Sequence, residues 1–326
     1  MAITRTLFLA LCASSSLMLA APATAQETYP NRPVKVIVAL PAGGSVDMIA
    51  RLVSQQLQTD LGQPFVVDNK AGGSGQIGVP LVAKAPPDGY TLMVSPASFL
   101  TTNKSIFKAL PYNPEADFAP VTKLVNQAMV LVVRDKAKYG TVAEVLAAAK
   151  ASPGKLTYAS SGDGSPQHLA GLLFEHRTGA KLLHVPYKGG APAITDLMGG
   201  QVDMVFAPLP EALPHIRAGK LHPVGTLSER RAAATPNIPT LKEGGVDGVY
   251  LSAWIALLAP ANTPQPVLDR LGKSVKALLA GEATRSKLVE LGMEPAGDEA
   301  KPLKQVIAED IKLHAELVKA AGLVPQ

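Results

Sequence analysis

Short apolar runs typical of β-strands alternate along this chain with segments whose apolar residues have helical spacing. Residues 34–40 form a run rich in β-branched side chains, and Ile49, Leu52, Val53 and Leu57 follow it at helical spacing. The same order of strand and helix recurs through most of the chain. It predicts an α/β fold in which parallel sheets are covered by helices.

The pattern changes near the C-terminus. After Pro260 it predicts three helical segments and no further strand. Such helices must cover a sheet formed earlier, so we expect the chain to return to its first domain. The predicted division has a cleft between two lobes, and its ranges are 26–124 with 251–326 for lobe 1 and 125–250 for lobe 2.

The N-terminus has the features of a secretory signal peptide. Arg5 precedes an apolar stretch over 7–21, and Ala23-Thr24-Ala25 supplies the small residues of a cleavage site. The apolar stretch is shorter than the roughly 20 residues of a spanning helix. We therefore predict that residues 1–25 are removed and that the mature protein works outside the cytoplasm.

Composition excludes several classes of function. The chain of 326 residues is 47% apolar, and its net charge of +5 is dispersed. This distribution argues against nucleic acid as a partner. Its single cysteine, Cys12, lies in the predicted signal peptide, so the mature chain lacks thiol chemistry, disulfides and cysteine-ligated metals.

Two glycine-containing loops each join a predicted strand to the start of a predicted helix, at 41–45 and 160–166. The first amides of a helix lack partners within the helix, and the helix dipole favours an anion there. Two such loops facing each other across a cleft would hold a carboxylate. An ordinary tight turn is the alternative interpretation of each loop.

Motifs for catalysis and for cofactors are weak. Asp47 and His168 are candidate acid–base groups, but a helix-dipole acid and a capped surface histidine explain them equally well. The sequence contains neither a Gly-x-Ser-x-Gly motif nor histidines at helical i, i+4 spacing. Residues 73–78 match Gly-x-Gly-x-x-Gly, but the next strand ends at Ser95 without an acidic residue. We predict no catalytic residue, no metal and no cofactor.

Seven motifs occur in an order that resembles the Bug family, the TctC-like extracytoplasmic solute receptors of tripartite tricarboxylate transporters. The resemblance covers essentially the whole mature chain. The motifs lie at 41–47, 69–78, 87–92, 160–169, 185–193, 199–203 and 239–241.

This resemblance implies a two-lobed type II periplasmic-binding-protein fold, in which each lobe is a sheet flanked by helices and a small carboxylate or amino acid binds in the cleft. It also implies delivery of the ligand to the membrane permease subunits of a transporter. The ligand-binding residues that it implies are Ala42, Gly43, Gly44, Ser45, Asp47, Ser95, Ser160, Ser161, Gly164, Ser165 and His168.

The sequence therefore predicts a monomeric periplasmic receptor, not an enzyme, that closes around a dicarboxylate, tricarboxylate, aromatic carboxylate or amino acid. Two alternatives stay open at this point. One is a secreted α/β hydrolase or isomerase that uses Asp47 or His168. The other is a ligand sensor for a signalling partner.

Overall fold

A computed structural model describes residues 29–296 and 302–320, together with Pro325. The predicted signal peptide, residues 1–25, lies outside this range. Within the described part, no helix combines the length and the apolar character needed to cross a membrane.

The elements alternate between strand and helix over most of the chain, as the sequence pattern predicts. The strands are β1 (Val34–Val38), β2 (Phe65–Asn69), β3 (Thr91–Pro96), β4 (Phe118–Val133), β5 (Thr157–Ser160), β6 (Leu183–Pro186), β7 (Met204–Pro208), β8 (His222–Thr226), β9 (Ser252–Pro260) and β10 (Met293–Pro295). The helices are α1 (Ser45–Leu61), α2 (Val79–Ala83), α3 (Ala97–Leu100), α4 (Asn103–Ile106), α5 (Lys136–Tyr139), α6 (Val142–Ala151), α7 (Pro166–Thr178), α8 (Gly190–Gly199), α9 (Leu209–Arg217), α10 (Gln265–Ala280), α11 (Glu282–Glu290) and α12 (Leu303–Ala320).

The strands form two sheets that share β4. The first sheet has the order β2-β1-β3-β9-β4-β10, and the second has the order β8-β4-β7-β5-β6. Residues 118–128 of β4 pair with β9, whereas residues 129–133 pair with β7. One strand therefore carries the chain from the first sheet into the second.

Two details differ from the sequence prediction. The sheets are mixed, because β9 runs antiparallel to β3 and β4, and β4 runs antiparallel to β7 and β8. Parallel pairing is found in β2-β1-β3 and in β7-β5-β6. A short strand, β10, also lies between α11 and α12, where none was predicted, and it pairs with β4.

Both faces of each sheet are buried under helices. In β1, Val34, Val36 and Val38 pack in one apolar cluster with residues of α1 and α10, whereas Ile37 points into the cluster on the opposite face. In β4, Met129, Leu131 and Val133 pack in one cluster. Val130 and Val132 pack in the cluster on the opposite face. Alternate residues of a strand point to opposite faces, so a sheet covered on both faces requires continuous apolar runs of this kind.

Candidate functional site

A cavity lies between the two sheets, where β4 passes from one to the other. It contains about 560 Å³ of space not filled by protein atoms, a volume that includes the solvent at its mouth. A second cavity of about 430 Å³ adjoins it and shares Ser45, Ser161 and Glu211 with it. Residues that line the first cavity include Ser45, Ser74, Ser98, Phe99, Asn103, Gln127, Ser161, Asp163, Gly164, Ser165, Gln167, Glu211 and Trp254. We call the two together the cleft cavity.

The first predicted loop reaches the cleft cavity. Ala42, Gly44 and Ser45 line its second part, and Gly44 caps the N-terminus of α1 with extended backbone. Gly43 has a φ of +90°, in the left-handed region that favours glycine. Its amide donates to Asp47 Oδ2 at 3.0 Å, so the start of α1 and the loop are tied together.

Asp47 lines the cavity but is also bound to its own surroundings. Arg51 donates to both of its carboxylate oxygens at 3.0 Å, and Asn69 Nδ2 donates to Oδ1 at 3.0 Å. Burial alone would raise the pKa of Asp47, but the hydrogen bonds from Arg51, Gly43 and Asn69 hold it below its ordinary value. The Asp47 carboxylate is therefore ionised, both of its oxygens accept hydrogen bonds, and it fixes the first loop.

The second predicted loop reaches the cavity from the other sheet. Ser161, Gly164 and Ser165 line the cavity, and Ser165 caps α7 by accepting from the His168 amide at 3.3 Å. Ser161 Oγ donates to Gln167 Oε1 at 2.9 Å. The predicted start of α7 after Ser165 is confirmed.

His168 lies beneath this loop and does not line the cavity. Its Nδ1 accepts from the Gly164 amide at 3.1 Å, and its ring stacks on His184 with centroids 3.9 Å apart and an interplanar angle of 4°. Burial, with a smaller contribution from His184, lowers the pKa of His168 to about 3. The ring is therefore neutral at physiological pH and supports the loop.

A metal site at this histidine pair is not favoured by its geometry. Asp163, His168 and His184 bring candidate ligand atoms within 4.8 Å of one another. However, the nitrogen lone pairs of two parallel, stacked rings lie in separate planes and do not converge on one ion. Ser160 Oγ also lies 2.7 Å from His184 Nε2, so that nitrogen already has a partner.

Ser95 and Ser160 are buried outside the lining of the cleft cavity. Ser95 Oγ donates to the carbonyl of Pro96 at 3.0 Å, and Ser160 Oγ contacts His184 and the carbonyl of Gly162. Both hydroxyls therefore have partners within the protein.

Three polar residues of the lining, Asn103, Gln127 and Glu211, were not predicted from the sequence. Each has a buried atom without a hydrogen-bond partner among the described residues: Asn103 Oδ1, Gln127 Nε2 and Glu211 Oε2. Asn103 Nδ2 donates to the Ser74 carbonyl at 2.9 Å, which fixes the orientation of the amide and leaves Oδ1 as the free acceptor. Three residues with unpaired buried polar atoms thus line one cavity, which is a feature of ligand sites.

Glu211 had a signal in the sequence that was not used. It lies in the first turn of α9, directly after β7, so it occupies a third junction between a strand and a helix. The unpaired amides at a helix start, which drew attention to the first two loops, are present at this junction as well, although it contains no glycine. Asn103 in α4 and Gln127 in β4 have no such local signal, because only the tertiary fold brings them to the cavity.

Loops of the two sheets touch across the cavity. Ser74 Oγ donates to the carbonyl of Asp163 at 3.2 Å, and Ser45 Oγ donates to Glu211 Oε1 at 3.4 Å. The described structure is therefore a closed arrangement.

Comparison with known proteins identifies the fold and the family. The family model for the tripartite tricarboxylate transporter family receptor matches residues 49–323. The chain is 37% identical over 305 residues to protein BugT of Bordetella pertussis, covering 93% of each chain. It is 34% identical to an R. palustris protein solved with adipate, with a TM-score of 0.88, covering 91% of this chain and 100% of that one. It is 30% identical to MatC of Rhodopseudomonas palustris, solved with bound malate, with a TM-score of 0.84 and coverage of 89% and 100%.

The architecture is thus the two-lobed α/β fold of periplasmic binding proteins, with the cavity between the lobes. The chain belongs to the receptor family of the tripartite tricarboxylate transporters, and the predicted resemblance to the Bug family is confirmed.

Proposed function

We propose that this protein is a periplasmic receptor that captures a small metabolite with a carboxylate group and closes its two lobes around it. Adipate and malate in the two R. palustris relatives support this class of ligand. The proposal includes export through the signal peptide at 1–25 and delivery to membrane permease subunits. It also includes lobe boundaries at 26–124 with 251–326 and at 125–250.

The observation that carries the proposal is the set of three unpaired polar atoms in the cleft cavity, on Asn103, Gln127 and Glu211. A buried polar atom without a partner costs about 1–3 kcal/mol, and three of the six such side-chain atoms of the described residues belong to the lining of this one cavity. A polar ligand that enters the cavity supplies the missing partners.

The two residues that an enzyme would need have other roles here. Asp47 is held by Arg51, Gly43 and Asn69, and His168 lies beneath the second loop with its Nδ1 already bonded. Neither presents a free proton-transfer atom to the cavity, which supports binding rather than turnover as the role of the cleft.

Gly44 offers a direct test. Its backbone is extended, and a Cβ built there has no neighbour within 4 Å, so a side chain is compatible with the fold. Because Gly44 lines the cleft cavity, a leucine at this position occupies space that the ligand needs. Gly44→Leu is expected to lower the affinity for a bound carboxylate by roughly 100-fold, with little change in the unfolding temperature of the free protein.

Trp254 provides the measurement. It is the single tryptophan of the chain, it is only 3% exposed, and it lines the cavity. Titration of its fluorescence with adipate, malate and a panel of amino acids reports binding directly. Gly199→Leu is the matched control, because Gly199 is an exposed helical glycine away from the cavity and a Cβ there meets only Gln201 Cγ, at 4.0 Å. Equal affinities of the Gly44→Leu variant and the wild type would contradict the proposed site.

A further inference from the structure

Glu211 places an acidic group in the lining of the cleft cavity, which a carboxylate ligand does not explain. Its Oε1 accepts a long hydrogen bond of 3.4 Å from Ser45, and its Oε2 is shielded from solvent with no partner among the described residues. Glu211 also forms no ion pair with any described lysine, arginine or histidine. Burial raises the pKa of Glu211 to about 7, although the Ser45 hydrogen bond opposes this.

The position of this carboxyl group is built into the fold. Glu211 lies in the first turn of α9, and Gly190, at the start of α8, lies against it. A Cβ at position 190 would fall 2.0 Å from Oε2, a distance that non-bonded atoms do not reach. Glycine at 190 therefore leaves room for the carboxyl group to sit at the cavity wall.

Charge decides which ligand this wall accepts. Glu211, Asp163 and the Arg51-bound Asp47 line the cleft cavity, and no lysine, arginine or histidine of the described residues does so. A dicarboxylate would bring a second negative charge beside these acids in a setting of low dielectric, so it could bind here only if Glu211 took up a proton. A ligand hydroxyl could donate a hydrogen bond to Glu211 Oε2, but it would not balance the negative charge of the Glu211 carboxylate.

Building on the proposed function, we propose that the Glu211 carboxylate binds an ammonium group of the ligand, so that the receptor selects a zwitterionic amino acid over a dicarboxylate or a hydroxy acid. The ammonium group donates to Glu211 Oε2 and balances its charge. The Asn103 Oδ1 acceptor, free in the same cavity, takes a further donor hydrogen of the ligand. The ligand carboxylate accepts from Gln127 Nε2, the unpaired donor.

The test compares matched ligands by calorimetry and Trp254 fluorescence. α-Amino and ω-amino acids are each paired with the dicarboxylic acid and the hydroxy acid of the same carbon skeleton, for example aminohexanoate with adipate. We expect at least one amino acid to bind more tightly than both of its partners by roughly 30-fold or more. Glu211→Gln should reduce that affinity by a similar factor and abolish the preference, because the amide keeps the shape but removes the charge.

Two further variants keep the result interpretable. Gly190→Ala retains the negative charge but displaces the carboxyl group, so it should also weaken the amino acid complex. Glu175→Gln removes a half-buried carboxylate of α7 outside the cavity and should leave all affinities unchanged. Glu211→Gln should unfold at no lower temperature than the wild type, because it removes a desolvated carboxylate.

The outcomes separate this inference from the proposed function. If a dicarboxylate or hydroxy acid binds as tightly as its amino acid partner, or if Glu211→Gln binds the best ligand unchanged, Glu211 is not an ammonium site and the inference fails. The proposed function then still stands on the binding of the carboxylate. If no carboxylate of any kind binds, both the proposed function and the inference are overturned.

Discussion

At the scale of single residues, the stacked histidine pair shows how a buried ionisable group supports the site without touching the ligand. His168 and His184 lie face to face, and the Tyr158 ring stacks on His184 with centroids 5.0 Å apart. Asp163 Oδ1 lies 3.7 Å from His184 Nδ1 on the other side. Burial lowers the pKa of both histidines, so the pair is stable as neutral rings.

This pair should make the stability of the fold depend on pH. The pKa of His168 falls from 6.5 to about 3 on folding, so between these values the unfolded chain binds more protons than the folded one. Stability must then decrease as pH falls from 6.5 towards 3, with a slope of up to about 1.4 kcal/mol per pH unit from this residue. His168→Asn preserves an acceptor for the Gly164 amide and should remove most of this slope.

Urea unfolding at a series of pH values measures the slope. The control is His176→Asn, since His176 is exposed on the same helix and its ring stays in solvent in both states. An unchanged slope in His168→Asn, relative to the wild type, would show that His168 does not remain neutral in the fold.

At the scale of elements, helix α7 joins the second loop to the core of its sheet. Ser165 caps its start, and Gly179 ends it with a φ of +69°. Gly171, in the middle of the helix, faces Tyr158 of β5. A Cβ at 171 would lie 2.3 Å from Tyr158 Cε2. The contact between helix and sheet therefore depends on the absence of a side chain at this position.

Replacing Gly171 with alanine should destabilise the protein, although the same replacement usually stabilises a helix. Gly→Ala in a helix interior is favourable by about 1 kcal/mol from propensity alone. Tyr158 is fully buried between His184 and Phe206 and cannot move aside, so overpacking costs about 1–3 kcal/mol or more. Gly171→Ala should therefore lower the free energy of unfolding in urea by roughly 1–2 kcal/mol.

The matched control is Gly272→Ala in α10. A Cβ at 272 finds Val121 Cγ1 at 3.8 Å, an ordinary van der Waals contact, so the helix propensity should prevail. We expect this variant to gain up to about 1 kcal/mol. If both variants shift stability in the same direction, the close packing at Gly171 does not decide the outcome.

Sequence patterns predict an element when its signal, such as a capping residue, lies within or next to that element. The start of α7 at Pro166 and its end at Gly179 follow from capping chemistry. The first part of β4 has no such local signal. It contains Pro120 and several polar residues, and only its pairing with β9 and β10 makes it a strand. Strand β10, with three residues, is too short to give a periodic signal.

At the scale of the whole molecule, the cleft depends on contacts that no single segment encodes. The sequence predicted the two loops at 41–45 and 160–166, and both contribute to the cleft cavity. It could not predict Asn103 or Gln127, because each becomes a lining residue only when the two sheets meet through β4. The implied site residues remain predictions until a ligand is bound and mutated positions are measured.

The balance of contacts across the cavity implies an open state in solution when no ligand is bound. Closure forms the Ser74–Asp163 and Ser45–Glu211 hydrogen bonds, worth about 0.5–1.5 kcal/mol each. We expect the open state to expose the three unpaired polar atoms to water, so that closure without a ligand costs about 1–3 kcal/mol for each of them. Closing without a ligand is therefore unfavourable, whereas a ligand that pairs these atoms reverses the sign.

Small-angle X-ray scattering should detect this change. A ligand identified by Trp254 fluorescence is expected to reduce the radius of gyration of the wild type, because the lobes rotate together about β4 and its neighbours. The Gly44→Leu variant, whose cavity is obstructed, should keep the larger radius at the same ligand concentration. A wild type whose radius is already small and does not respond to saturating ligand would show that closure does not depend on the unpaired atoms. That result would contradict the proposal that ligand binding drives closure, although the ligand could still bind in the cleft cavity.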